Sequence, residues 1–265
     1  MGRPSFYQQP LHYEVAFGWR DIVSECAFLT QCSETFGGGK PHRFLELAAG
    51  PGFHLREMAR RGVESVGVEL SEPMATYTRQ KLADTGLSNR GTVIQGDMRN
   101  FTVPAAVDLA FTAINSFAYL LTIDDMLKHL DCVARALRPR GVYVIELTHP
   151  KKYWLGETVT QDTWSAQRDG LQVDMQWDCG KHREIDALTQ VATIRWQYEA
   201  STNGKKQKFS GSEKMRVTTA QEILAAVRMG GHFEVVDWRG AMSWKVPFTN
   251  EKRSWRMIPI LRKLT

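Results

Sequence analysis

From residue 43 onward, short apolar runs alternate with stretches in which apolar residues recur every three or four positions. A strand buried on both faces reads as a near-continuous apolar run and a helix lying over it as an amphipathic repeat. The alternation therefore predicts a mostly parallel sheet covered by helices on both faces. Strands are predicted at 43–48, 64–69, 91–96, 107–113 and 141–148. Between them, Ser71 with Pro73 reads as a helix start, followed by Met74, Tyr77, Lys81 and Leu82. Thr122 with Asp125 opens another helix, whose Met126, Leu127, Leu130, Val133, Ala134 and Leu137 share a face before Pro139 and Gly141 end it. Thr219 and Glu222 make a capping box for a last helix, closed by Gly230 and Gly231.

Residues 151–217 break this rhythm. Stretches at 159–166, 171–178, 190–199 and 207–217 alternate polar and apolar residues, and Asn203-Gly204 is a hairpin signal, so an inserted antiparallel layer is expected. Strands at 233–238 and 255–264 then resume the core. The first 40 residues carry Phe6, Tyr7, Tyr13, Phe17 and Trp19 and a helix with Ile22, Cys26, Leu29 and Cys32 on one face. Gly37-Gly38-Gly39 reads as a flexible joint. The expected organisation is an aromatic arm and helix (1–40), a core (41–150 and 218–265) and an inserted β subdomain (151–217).

Composition narrows the class. With 43% hydrophobic and 24% charged residues the chain has an ordinary globular balance, which argues against disorder. No apolar run approaches the ~18 residues of a membrane span, and residues 1–10 do not resemble a secretory leader, so a cytoplasmic protein with no membrane partner is expected. Cys26, Cys32, Cys132 and Cys179 are scattered without ligand spacing, which predicts reduced thiols and no metal. The net charge of +5 is concentrated late, around Lys205–Arg216 and Lys245–Lys263. Solvated strand faces account for most of it.

The segment Phe44-Leu45-Glu46-Leu47-Ala48-Ala49-Gly50-Pro51-Gly52 is a strand that carries an acid and enters a glycine loop before a helix. Such a loop admits close ligand approach, and its amides with the helix amino terminus attract anionic oxygens. A dinucleotide fingerprint would place a third glycine at position 55, but that residue is Leu55. Glu69 ends the next strand about 20 residues after Gly50, the spacing at which a carboxylate reaches ribose hydroxyls.

Together, Glu46-x-Ala48-x-Gly50-x-Gly52, Glu69, Gly96-Asp97-Met98 and the strand leading into Ile114-Asn115-Ser116-Phe117 resemble the successive motifs of class I S-adenosylmethionine-dependent methyltransferases. The ending, from Gly230-Gly231-His232-Phe233 to Arg262-Lys263, is similar too. The resemblance covers 41–150 and 218–265, with Ala48 where the family most often has glycine. It implies an α/β fold with a Rossmann-like seven-stranded sheet, S-adenosyl-L-methionine as cofactor and S-adenosyl-L-homocysteine as product. It also implies that Ala48, Gly50 and Gly52 admit the methionine portion, Glu46 holds its amino group, Glu69 takes the ribose and Asp97 the adenine amino group. Leu70 and Met98 would pack on the adenine ring. Ile114 and Asn115 would flank the sulfonium, with Tyr13 and Trp19 as aromatic walls.

Acceptor classes separate by absence. Asn115-Ser116-Phe117-Ala118 is not the Asn/Asp-Pro-Pro-aromatic run that clamps base amines, and no Pro-Cys follows the fourth strand, so nucleic acid is disfavoured as substrate. The basic late strands keep RNA as an alternative; a non-catalytic cofactor-binding module is a second. The arm and the inserted sheet resemble the layout of amino-sugar and glycine-type N-methyltransferases, which favours an amine nitrogen of a small molecule over a hydroxyl. Tyr7, Tyr119, His149, Tyr153 and Trp154 are the expected acceptor-facing residues, with His149 and Tyr119 as candidate acid–base groups. Arm and insertion would form a lid; a homodimer interface is the competing use of the same aromatic surface.

Overall fold

The computed structural model describes residues 6–154, 162–179 and 184–265. The arm forms two helices, α1 (Pro10–Phe17) and α2 (Ile22–Cys32). The core follows as β1 (Arg43–Leu47), α3 (Phe53–Arg60), β2 (Glu64–Glu69), α4 (Glu72–Asp84), β3 (Gly91–Gln95), β4 (Val107–Thr112), α5 (Ile123–Ala136) and β5 (Leu137–Ile145). A short β6 (Leu147–Thr148) and α6 (Lys151–Trp154) lead to the second sheet, built from β7 (Asp162–Arg168), β8 (Leu171–Trp177), β9 (Glu184–Ile185), β10 (Val191–Thr202) and β11 (Lys205–Arg216). The chain returns to the core through α7 (Ala220–Gly230), β12 (Phe233–Arg239) and β13 (Arg256–Lys263).

The core sheet runs β12-β13-β5-β4-β1-β2-β3, parallel except where β13 pairs antiparallel with β12 and β5. This is the Rossmann-like seven-stranded sheet that the motifs imply. Strand order reverses between β1 and β4, so a crevice opens outside their carboxyl ends, where open α/β sheets take ligands. Alternate residues of each strand divide between two layers. Leu45, Leu47, Ala110, Tyr143 and Leu261 pack with Met126, Leu130 and Val227, while Phe44, Phe111, Val142, Val144 and Ile260 pack with Cys26, Leu29, Cys32 and Met58. The second group makes α2 a layer of the core itself.

Several start and stop signals act as predicted. The Thr122 hydroxyl accepts the Asp125 amide, Thr219 and Glu222 form the capping box, and Gly231 takes the left-handed conformation after α7. Asn203 and Gly204, at φ 50° and 76°, make the two-residue turn between β10 and β11. An Asp169-Gly170 pair makes the matching turn between β7 and β8.

Three expectations need correction. Leu137 is extended and begins β5 rather than ending α5, because it pairs with Val107. The Ser71 hydroxyl donates to the Tyr7 carbonyl instead of capping α4. The glycine joint is pinned: Gly37 is buried, its carbonyl accepts from Arg138 Nη2 at 3.0 Å, and the Gly39 carbonyl accepts from Ser33 Oγ at 2.9 Å.

The arm also joins the second sheet. Phe6, Val15, Ala16 and Phe17 share one buried cluster with Val173, Met175, Trp196 and Tyr198. The Trp164 indole donates to the Ala16 carbonyl at 2.6 Å. Glu14, 1% exposed, accepts from Tyr77 of α4 at 2.5 Å and pairs with Arg56 of α3 and Arg168 of β7. Burial alone would raise its pKa, but these three donors hold it below the ordinary carboxylate value. One arm carboxylate thus ties the arm to both sheets.

Candidate active site

Backbone strain marks the site. Among non-glycine residues, Ala48 (φ 50°), Ile114 (φ 48°) and Asn115 (φ 61°) take left-handed conformations at the carboxyl ends of β1 and β4. For a β-branched residue such as Ile114 this costs on the order of 1–3 kcal/mol, and such strain gathers at functional sites. Gly50 and Gly52 are also left-handed. A Cβ on Gly52 would come within 2.5 Å of Thr78 Cγ2, so only glycine lets the loop lie against α4. Thr78 holds that loop by donating to the Gly50 carbonyl at 2.8 Å.

The two strand-end acids shape the loop as well as face it. Glu69 Oε2 accepts the Gly50 amide at 2.7 Å, and Oε1 accepts the Ser71 amide at 2.8 Å. Burial raises its pKa, partly offset by those amides. Each oxygen keeps a second lone pair. Leu70 beside it is 68% exposed, an apolar side chain in solvent. Met98 packs against the core cluster and its carbonyl accepts from His129. Asp97 is forked by Arg99, which holds its pKa below the ordinary value and also reaches Asp125.

Glu46 is deeply buried. It is 2% exposed, with one oxygen 2.8 Å from His54 Nδ1 and the other accepting the Leu55 amide at 2.9 Å. Its bonds therefore fix the amino terminus of α3. Tyr13, Glu46, Ala48, Gly50, Phe53, Ile114 and their neighbours line the groove over the glycine loop.

Next to this groove lies a cavity of about 430 Å³ between arm, core edge and second sheet. Tyr7, Tyr13, Trp19, Ile114, Asn115, His149 and Tyr153 of the predicted residues line it, together with Phe17, Trp164, Trp177, Asp178, Met215, Trp255 and Arg256. Tyr13 and Ile114 line both spaces. Trp19, expected as an aromatic wall facing cofactor or acceptor, lines this cavity and is 59% exposed, and Trp255 is 48% exposed. The Trp154 side chain lies outside the described residues.

Neither predicted acid–base residue is free for that task. His149 Nε2 donates to the Thr249 carbonyl at 3.0 Å and Nδ1 accepts the Lys151 amide at 3.0 Å. Burial lowers its pKa, so it is a neutral, fully bonded ring in a turn. The Tyr119 hydroxyl is hydrogen-bonded to that of Tyr7, and burial raises both phenols well above their ordinary value. Both remain protonated at neutral pH and act as hydrogen-bonding groups. Asn115 Oδ1 accepts the Thr148 amide at 2.9 Å, locking the turn to β6.

The sequence reading missed Arg20, Glu25, His54, Glu146 and Arg256, which form a buried ionic chain beneath both spaces. One signal was available: Glu146 interrupts the apolar run Val144-Ile145-Glu146-Leu147, and an acid there needs buried partners.

Residues 44–141 match a methyltransferase-domain family. This part of the core is therefore similar to a methyltransferase domain. Among curated proteins, a dTDP-3-amino-3,4,6-trideoxy-alpha-D-glucopyranose N,N-dimethyltransferase from Streptomyces venezuelae is 33% identical over 132 residues, 49% of this chain and 51% of that protein. The match therefore spans about half the length of this relative. Two solved structures align over nearly the whole fold. Streptomyces venezuelae DesVI has a TM-score of 0.77 at 20% identity, covering 98% of this chain and 99% of that one. The amino pentose methyltransferase CalS10 from Micromonospora echinaspora, solved with S-adenosylmethionine, has a TM-score of 0.73 at 18% identity, covering 99% of each.

Proposed function

We propose that this methyltransferase moves the methyl group of S-adenosylmethionine to an amine nitrogen of a small molecule, an amino sugar being the class its relatives suggest. The observation that carries the reading is the shared wall: Tyr13 and Ile114 border both the glycine-loop groove and the aromatic cavity. A reacting group held in the groove can therefore face an acceptor held in the cavity.

The groove's residues suit the cofactor. Left-handed Gly50 and Gly52 keep backbone bare where the methionine portion would lie, Glu69 retains lone pairs for ribose hydroxyls, and exposed Leu70 and partly buried Met98 suit adenine. Asp97 would take the adenine amino group while Arg99 steadies it. Glu46, already doubly bonded, supports the loop and adds negative charge near the cofactor's ammonium. When bound, S-adenosylmethionine supplies a methyl group on a positively charged sulfur, open to in-line attack by a nucleophile.

Transfer of this kind asks chiefly for alignment, which contributes roughly 7–11 kcal/mol when reactants are well placed. The cavity supplies it through rigid aromatic walls: Phe17, Trp164 and Trp177 bury the acceptor beside the hydrogen-bonded Tyr7–Tyr119 pair. An acceptor amine must be neutral to attack. Its proton must therefore pass to water before transfer, at a wall that carries Asp162 and Asp178 as well as Lys151, Lys152 and Arg256. Arm and second sheet together act as the lid that excludes water during the reaction, supported by their shared aromatic cluster and the Glu14 clamp.

The test is to incubate the protein with S-adenosylmethionine and a panel of amino sugars, free and nucleotide-linked, and to follow S-adenosylhomocysteine release and acceptor mass. One or two added methyl groups on an amine support the reading. Release with hydroxyl-only sugars and none with amines refutes the nitrogen assignment.

A further inference from the structure

Six ionisable side chains run in contact beneath the site from the glycine loop to β13: Glu46, His54, Glu25, Arg20, Glu146 and Arg256. All have side chains between 1% and 13% exposed. Glu46 and His54 belong to the cofactor groove, and Glu146 and Arg256 to the far end beside the acceptor cavity. The arm supplies the two middle members: Glu25 from α2 and Arg20 from the turn between α1 and α2.

Each end of the chain holds a reactive loop through a backbone amide. Glu46 takes the Leu55 amide at 2.9 Å and so fixes the first turn of α3. Glu146 takes the amide of strained Ile114 at 2.9 Å and so fixes the turn beside the methyl-transfer position. The link between them is specific. Arg20 donates to Glu25 Oε2 from Nε and Nη2 at 3.2 and 2.7 Å and to the two Glu146 oxygens from Nη1 and Nη2 at 3.3 and 2.9 Å, a four-bond fork that the three donors of a lysine ammonium do not reproduce. Both ring nitrogens of His54 lie 2.8 Å from carboxylate oxygens, of Glu46 and Glu25, so both must donate and the ring must be protonated.

We propose that Arg20 and Glu25 are positioning residues for methyl transfer, through which the docked arm sets the α3 amino terminus and the Ile114-Asn115 turn in one catalytic arrangement. The inference rests on the methyltransferase reading above. It assigns the arm a second task besides covering the acceptor: with the arm displaced, His54 loses one carboxylate and Glu146 loses one cation, and the two loops lose their common support. The groups facing His54 are Glu46 from β1, Glu25 from α2, Arg20 from the interhelical turn and the Phe111 ring edge from β4. Burial would lower its pKa, but the two carboxylates overcome burial and raise it to about 9.

The experiment compares wild type with Arg20→Lys and Glu25→Gln, each checked for a cooperative melt. Single-turnover methyl transfer is expected to fall between about tenfold and hundredfold in both, the loss that a misplacement of reacting groups by up to about 1 Å brings. Affinity for S-adenosylhomocysteine is measured from pH 7 to 10. Its alkaline loss should begin at lower pH in Glu25→Gln, because His54 then has one carboxylate fewer; the ligand's own ammonium titrates alike in both proteins. If Arg20→Lys does not melt cooperatively, isosteric Glu25→Gln decides alone. Coincident pH profiles, or turnover within twofold of wild type in a folded variant, would overturn the proposal while leaving the methyltransferase reading intact. A wild type that binds neither cofactor nor product would overturn both.

Discussion

Glu146→Gln tests the electrostatics most directly, because the substitution keeps shape and removes charge. Glu146 is 1% exposed, faces Arg20 at 2.9 Å and Arg256 at 3.0 Å, and accepts the Ile114 amide. Burial alone would raise its pKa, but the two guanidinium groups overcome burial and lower it from 4.5 to about 2. That shift corresponds to about 3 kcal/mol of stability, in line with the ~3–5 kcal/mol lost when one partner of a buried pair is removed. The sign follows from linkage. A depressed carboxylate stabilises the fold above its unfolded pKa of about 4.5, and the contribution is lost as pH falls from there through about 2. Urea denaturation at pH 7 should therefore show Glu146→Gln less stable by about 3 kcal/mol, a melting shift of roughly 6–12 °C for a domain of this size. Below pH 4.5 the gap between the two proteins should narrow. A loss under about 1 kcal/mol at pH 7, or a gap that widens on acidification, would refute the reasoning.

Glu69→Gln should weaken S-adenosylmethionine binding by about 1.5–3 kcal/mol in calorimetry, the range for hydrogen bonds to a charged group, and should also lower the melting temperature, because an amide nitrogen replaces one of the oxygens that accept the Gly50 and Ser71 amides. Gly52→Ala should lower both stability and cofactor affinity, since its Cβ meets Thr78 Cγ2 at 2.5 Å and φ is +68°; Thr78→Ser should restore part of the loss by removing that methyl group. Thr219→Ala removes one half of the α7 capping box and should cost about 1 kcal/mol in urea denaturation without affecting turnover.

The fold was legible because its signals are local. Apolar runs mark the parallel strands, Thr122 and Thr219 mark helix starts, and Asn203-Gly204 marks a turn. Boundaries slipped where a long-range partner decides the conformation, as at Leu137, which Val107 draws into the sheet. Sequence spacing brought Glu69 to the Gly50 loop because β1 and β2 are adjacent and parallel, so register fixes what lies opposite. Spacing has no such hold on residues joined across distant segments. The Arg20–Glu146 pair spans 126 positions, and no periodicity connects them. For the same reason His149 read as a free base: its bond to the Thr249 carbonyl, 100 positions away, is invisible in one dimension.

The turn between β10 and β11 carries a chemical liability along with its structural role. Asn203 and Gly204 both have positive φ, and both are exposed at the tip of the second sheet. An asparagine followed by glycine is prone to alkaline deamidation through a cyclic imide, which can reopen with an extra methylene in the main chain. A two-residue turn has no room for that added atom without shifting the pairing of Thr202 with Lys205. Chemical ageing will therefore begin at the outer tip of this hairpin, away from the cofactor groove. Samples held near pH 10 should be checked there by peptide mapping before any loss of activity is ascribed to the site.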